Sequence, residues 1–129
     1  MSEQKNIVSD ELLQTVPGGI VKLALDDTLT IIYATDNFFR MIRRTDRTGK
    51  KAENLLNMVY SADIIYMTQQ IATQKNRKDN SISINFRALM QDGSMKWILL
   101  NGNKTEELYQ SGSKAVPVYS CVATDITDL

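Results

Sequence analysis

The sequence contains no histidine. That removes the commonest general base and the commonest metal ligand. Neither a Ser-His-Asp nor a Cys-His nucleophile can be assembled, and a haem held by a proximal histidine is excluded. Cysteine occurs once, as Cys121. An internal disulfide is therefore impossible, and a structural zinc site lacks its Cys and His ligands, so no metal site is expected. Net charge is absent as well: 15 Lys and Arg balance 15 Asp and Glu. No global field draws the chain to nucleic acid or to an anionic membrane surface. No run reaches the ~18 apolar residues of a membrane helix, and the start lacks the basic-then-apolar order of a secretory signal. The expectation is a cytoplasmic chain that binds no nucleic acid and does not insert into membranes.

What remains has globular composition. Of 129 residues, 43% are hydrophobic and 23% charged, enough for one domain with one core. Residues 1–8 show no periodicity and read as a flexible tail, and residues 9–129 read as the single domain. Ser9-Asp10 caps a short helix with Leu12, Leu13 and Val16 on one side, stopped by Pro17-Gly18-Gly19. Alternating stretches at 19–25 and 29–34 flank Asp26-Asp27-Thr28 and predict a hairpin. Thr35-Asp36 caps a helix carrying Phe38, Phe39, Met41 and Ile42 on its apolar face. The basic run Arg40, Arg43, Arg44, Arg47, Lys50 and Lys51 reads as a solvated face, with an anionic ligand or partner as the alternative. Ser61 is the expected N-cap of a longer helix at 62–75, with Asp63 complementing its dipole.

Three long strands close the chain, at 81–90, 95–104 and 115–124. Gln91-Asp92-Gly93-Ser94 joins the first two, and residues 110–114 form a polar loop between the second and third. The first alternates cleanly, with Ile82, Ile84, Phe86 and Ala88 on one face. The other two are mixed, which leaves open whether Trp97 or Ile98 points toward the helices. Strands grouped at both ends with helices between them imply an α+β fold with an antiparallel sheet and helices over one face.

Particular residues make this order resemble a PAS domain of the sensory-box type. Gly19-Ile20-Val21-Lys22, then Leu29 to Ala34, then Asn37-Phe38-Phe39, is similar to the family's opening strands and first short helix. Asp92-Gly93-Ser94-Met95-Lys96-Trp97-Ile98 resembles its turn between the third and fourth strands. Val122-Ala123-Thr124-Asp125-Ile126-Thr127 resembles its closing strand and terminal Asp-Ile-Thr. Two loops depart from the pattern: Arg43-Arg44-Thr45 and Ser61-Ala62-Asp63 stand where the family often has Gly-Tyr-Thr/Ser and Pro-Glu-Asp.

The resemblance implies a five-stranded sheet in the order 2-1-5-4-3 and a small cavity between sheet and helices. It also implies a sensor within a larger bacterial signalling protein, from which this chain would be an excised fragment. Phe38, Phe39, Ile42, Met58, Ile65, Phe86, Ala88 and Leu99 are the candidate lining of a ligand cavity, and each also reads as ordinary core. Asp125, Ile126 and Thr127 are the candidate transmission residues, leading to a C-terminal effector such as a histidine kinase or diguanylate cyclase. Leu12, Leu13 and Val16 are the candidate homodimer surface. The cofactor is open. Relatives that join a flavin or a cinnamoyl chromophore to cysteine carry it in the helical region, whereas Cys121 lies on the last strand and reads as a small buried residue. Met41, Met58 and Met67 read as core rather than haem ligands.

Three functions therefore stand at this point: a ligand-binding sensory module, a ligand-free dimerisation or protein-interaction module, and a small enzyme with a carboxylate base. The last lacks a spaced acid–base pair, so the domain is expected not to be an enzyme and to have no catalytic residues. Asp26-Asp27 and Glu106-Glu107 are adjacent pairs that read as turn or surface chemistry.

Overall fold

The computed structural model describes residues 18–42 and 53–128. Leu12, Leu13, Val16, the expected tail and the basic residues from Arg43 to Lys51 lie outside the described residues. The chain forms β1 (Ile20–Ala24), β2 (Thr30–Ala34), α1 (Asp36–Met41) and β3 (Glu53–Asn54). Two 3-10 turns follow, Leu55–Met58 and Ser61–Asp63. Then come α2 (Ile64–Gln74), β4 (Ser81–Leu89), β5 (Met95–Ser111) and β6 (Lys114–Asp125).

The sheet order is β3-β2-β1-β6-β5-β4, with antiparallel pairing throughout. Its five long strands follow the expected 2-1-5-4-3 order. The two-residue β3 adds a sixth strand beside β2. Chain termini of the sheet meet in its middle, where β1 pairs with β6 from Ile20↔Val122 to Ala24↔Val118.

Cross-strand register divides the sheet into two faces. One carries Val21, Leu23, Ile82, Ile84, Phe86, Ile98, Leu100, Tyr119, Cys121 and Ala123, all buried in one apolar cluster with Phe38, Phe39, Ile42, Leu55, Met58 and Met67. Phe38 and Phe39 meet edge-to-face at 5.5 Å. The other face carries Ser83, Asn85, Arg87, Trp97, Leu99, Asn101, Val122 and Thr124. This settles the mixed strands. Ile98 is fully buried, opposite Phe86, while Trp97 is 38% exposed, opposite Arg87.

Several local expectations are corrected. The second long strand does not stop at 104. A bulge between Lys104 and Leu108 lets β5 continue to Ser111. Gly112 takes φ 61°, the left-handed backbone a two-residue hairpin favours at its first position. The expected polar loop at 110–114 is therefore a tight hairpin tip. Ser61 does not cap the longer helix; α2 is entered through a 3-10 turn with no side-chain cap. Asp63 turns instead to Arg87, because a buried carboxylate next to a guanidinium gains more than one at a helix end.

Candidate functional site

The exit from β6 is bound to two neighbours at once. Ile126 donates its N–H to the Trp97 carbonyl at 2.8 Å. Trp97 donates its own N–H to the Thr127 hydroxyl oxygen at 3.0 Å. Asp125 Oδ1 accepts the Thr127 N–H at 3.0 Å and the Thr127 hydroxyl at 2.5 Å, closing a local turn. The first residues beyond β6 thus remain strapped to β5.

Lys96 joins this exit to the helical layer. It precedes Trp97 on β5, so its side chain leaves from the core face. Its Nζ donates to the Met41 carbonyl at the end of α1, 2.9 Å away, and lies 3.6 Å from Asp125 Oδ2. A cation at a helix C-terminus meets the negative end of the helix and an orphan carbonyl. One ammonium therefore touches α1, β5 and the last residue of β6. Burial raises the Asp125 pKa, but the Thr127 hydroxyl and N–H, with Lys96, outweigh it and hold the carboxyl below its ordinary value.

A second polar cluster ties the entry of α2 to β4. Asp63 Oδ2 accepts the Arg87 backbone N–H at 2.8 Å and Nε–H at 3.0 Å, and Oδ1 accepts from Nη2 at 2.6 Å. The Arg87 guanidinium lies 4.9 Å from the Tyr60 ring centroid and 5.1 Å from that of Trp97. The hydrogen bonds from Arg87 depress the Asp63 pKa despite burial. Trp97 is thus gripped through its ring by this cluster and through its backbone by the exit turn.

Six of the eight candidate cavity residues come together. Phe38, Phe39, Ile42, Met58, Phe86 and Ala88 are each at most 7% exposed and share one packed cluster. Two do not join them. Ile65 is 73% exposed, because α2 turns Met67 inward and leaves Ile65 on its outer flank. Leu99 lies on the opposite sheet face, between Asn85 and Thr124, because inward positions of β5 are the even-numbered ones. One pocket among the described residues lies apart from these six. Its volume is about 250 Å³, and it sits between the β1–β2 turn and α2, walled by Leu25, Leu29, Leu56 and Ile71, with Asp26, Asp27, Thr68 and Lys75 around it. Its turn is firmly held: Asp26 accepts from the Thr30 N–H, the Thr30 hydroxyl and the Ser111 hydroxyl.

Reasoning from sequence missed Lys96, the Asp63–Arg87 pair and this pocket. Asp63 and Arg87 are 24 residues apart, and no local pattern joins them. Lys96 had no signal either, because the mixed pattern of its strand leaves the direction of its side chain open until the register with β4 and β6 fixes it.

No family model matches the sequence, and no curated protein matches it. Solved structures do. The PAS domain of a protein from Colwellia psychrerythraea is 14% identical, over 99% of this chain and 98% of that one, with TM-score 0.64. A PAS domain from a two-component sensor histidine kinase is 14% identical over 97% and 99%, with TM-score 0.59. The fold is a PAS fold. A sensory box histidine kinase/response regulator from Burkholderia thailandensis shares the PAS fold at 13% identity, over 92% of this chain and 84% of that one, with TM-score 0.60. In PAS terms, the strapped exit is the terminal Asp-Ile-Thr that the sequence resemblance singled out. Among the described residues no helix is long and apolar enough to cross a membrane.

Proposed function

We propose that residues 9–129 form a PAS sensory module of a cytoplasmic signal-transduction protein, which passes a change in its helical layer to a C-terminal effector through Asp125, Ile126 and Thr127. The observation that carries this reading is the Lys96 contact. Its ammonium bonds the end of α1 and faces Asp125, while the next residue, Trp97, holds Ile126 and Thr127. A shift of α1 must therefore either move the exit or break a charge-assisted bond. The module itself is read as non-catalytic, with the effector, a histidine kinase or diguanylate cyclase in type, supplying the output.

The signal enters as a small molecule in the pocket beside α2. Its lining joins apolar side chains to a few polar ones, Asp26, Asp27, Thr68 and Lys75, as small-ligand sites do. Leu25, one of the walls, donates its N–H to the Pro117 carbonyl at 3.1 Å, which joins the pocket to β6 and so to the exit. A homodimer through Leu12, Leu13 and Val16 fits the partly apolar outer sheet face, where Leu89, Met95, Trp97 and Val122 are 38–41% exposed. The ligand-free reading has one observation in its favour, the close packing of Phe38, Phe39, Ile42, Met58, Phe86 and Ala88. A fragment screen read by backbone amide shifts separates the two. The sensory reading expects binders that move Leu25 and Ile71 together with Ile126 and Thr127. Binders that leave Ile126 and Thr127 unmoved would refute it.

A further inference from the structure

Among the described residues β4 is the last strand of the sheet, and the backbone groups of Ser83 and Asn85 that face away from β5 meet no strand there. Two glutamines of α2 take that place. Gln74 accepts the Ser83 N–H at 2.7 Å and donates to the Ser83 carbonyl at 2.8 Å. Gln70 accepts the Asn85 N–H at 3.2 Å and donates to the Asn85 carbonyl at 3.0 Å. Each side-chain amide reproduces the pair of bonds that one residue of a neighbouring strand would make. The repeats match: four helical residues rise about 6 Å and two strand residues about 6.7 Å. An open, regular strand edge is a template for another strand, and this one is covered by side chains rather than by backbone.

We propose that Gln70 and Gln74 are a latch that keeps β4 closed to a second copy of this chain, and that releasing α2 opens β4 to antiparallel self-pairing centred on Ile84. The strand is self-complementary about that point. Ser83 would face Asn85 of the other copy, each pair exchanging two backbone bonds, so every donor and acceptor freed from the glutamines regains a partner. Ile84 would face Ile84 and Ile82 would face Phe86, apolar against apolar on the core face. No like charges fall opposite each other. Arg87 lies outside these pairs and keeps its bonds to Asp63. The latch is a large part of what docks α2, whose fully buried side chain is Met67 alone, with Ile64 and Ile71 half-buried.

The test uses the full chain carrying Gln70→Ala and Gln74→Ala, compared with wild type by hydrogen exchange and sedimentation velocity. The expected result is at least ~10-fold faster exchange at the Ser83 and Asn85 amides in dilute solution. At higher concentration the oligomer number should double. Adding Asn85→Pro removes an outward edge N–H that a proline tolerates, and should return the oligomer to its wild-type size. Unchanged exchange at both amides would overturn the latch. Faster exchange without a change in oligomeric state at any concentration would overturn self-pairing. If the double variant does not fold, Gln74→Leu alone decides the matter: its side chain can neither accept the Ser83 N–H nor donate to the Ser83 carbonyl. It should show faster Ser83 exchange and more doubled species than wild type, and wild-type behaviour in both would overturn the proposal.

Discussion

Replacing Gly102 with alanine tests the closeness of the β5–β6 pair on which the exit depends. Gly102 lies opposite Cys121, on the core face. An added Cβ would stand 2.1 Å from the Ser120 carbonyl oxygen, 2.6 Å from Cys121 Sγ and 2.7 Å from Cys121 Cα. Carbon and oxygen of adjacent strands normally approach to about 3.3–3.6 Å. Two of the three obstructing atoms are backbone and cannot rotate aside, so the strands must part by roughly 1 Å. Overpacking of this kind costs about 1–3 kcal/mol, and the backbone clash places the substitution near the top of that range. For a chain of this length each kcal/mol moves Tm by about 3–5 °C, giving a fall of roughly 10–15 °C. Thermal unfolding by far-UV circular dichroism measures it. Gly112→Ala is the control: nothing lies within 4 Å of its Cβ, and only its φ of 61° opposes the change. It should lose roughly 1–2 kcal/mol. A Gly102→Ala protein melting within ~2 °C of wild type would refute the reasoning.

Asp63 should make stability acid-sensitive. Its folded pKa lies below the unfolded value, through its bonds to Arg87. The stability it contributes is therefore fully present above about pH 4 and is lost as pH falls through the lower folded value. Asp63→Asn should flatten the pH dependence of urea unfolding below about pH 4; an unchanged slope would contradict the assignment. Cys121 should be inert in the folded chain, since burial pushes its pKa up to about 12. At pH 8 the thiolate fraction falls ~10³-fold below that of a free cysteine, and labelling by a disulfide reagent should slow at least that much until urea unfolds the protein. Prompt labelling without denaturant would contradict the burial.

Elements driven by local pattern were legible in the sequence. The alternation of Ile82, Ile84, Phe86 and Ala88 gives β4 and its buried face directly. Gly93, at φ 89°, closes the turn that Asp92-Gly93 announces. The faces of β5 were not legible, because Trp97, Ile98, Leu99 and Leu100 are apolar on both sides and alternation carries no sign there. The same ambiguity puts Leu99 among the candidate cavity residues, and only its register with Asn85 and Thr124 places it outside. Ile65 failed differently: it neighbours Ile64 and Met67 in sequence, but a helix buries one stripe, and Met67 holds it. The extension of β5 past Lys104 depends on a bulge, which polar residues from Lys104 to Glu107 do not signal. The exit motif was legible as residues and illegible as a set of contacts. Asp125, Ile126 and Thr127 stand together in the chain, while Lys96 and Met41, which connect them to α1, come from far earlier positions.

The most direct measurement is hydrogen exchange at the Ile126 amide, whose hydrogen bond to Trp97 straps the exit to β5. Ile42, 2% exposed and adjacent to the Met41 carbonyl that Lys96 grips, supplies the perturbation. Ile42→Val loosens the core by about 0.5–1.5 kcal/mol. Exchange is read relative to the buried Leu100 amide, which reports global opening. With Lys96 present, Ile42→Val should speed Ile126 exchange by roughly two- to tenfold beyond that reference. With Lys96→Met, the excess should vanish, because α1 no longer reaches the exit. An equal effect in both backgrounds, or none in either, would contradict transmission from the helical layer to Asp125, Ile126 and Thr127.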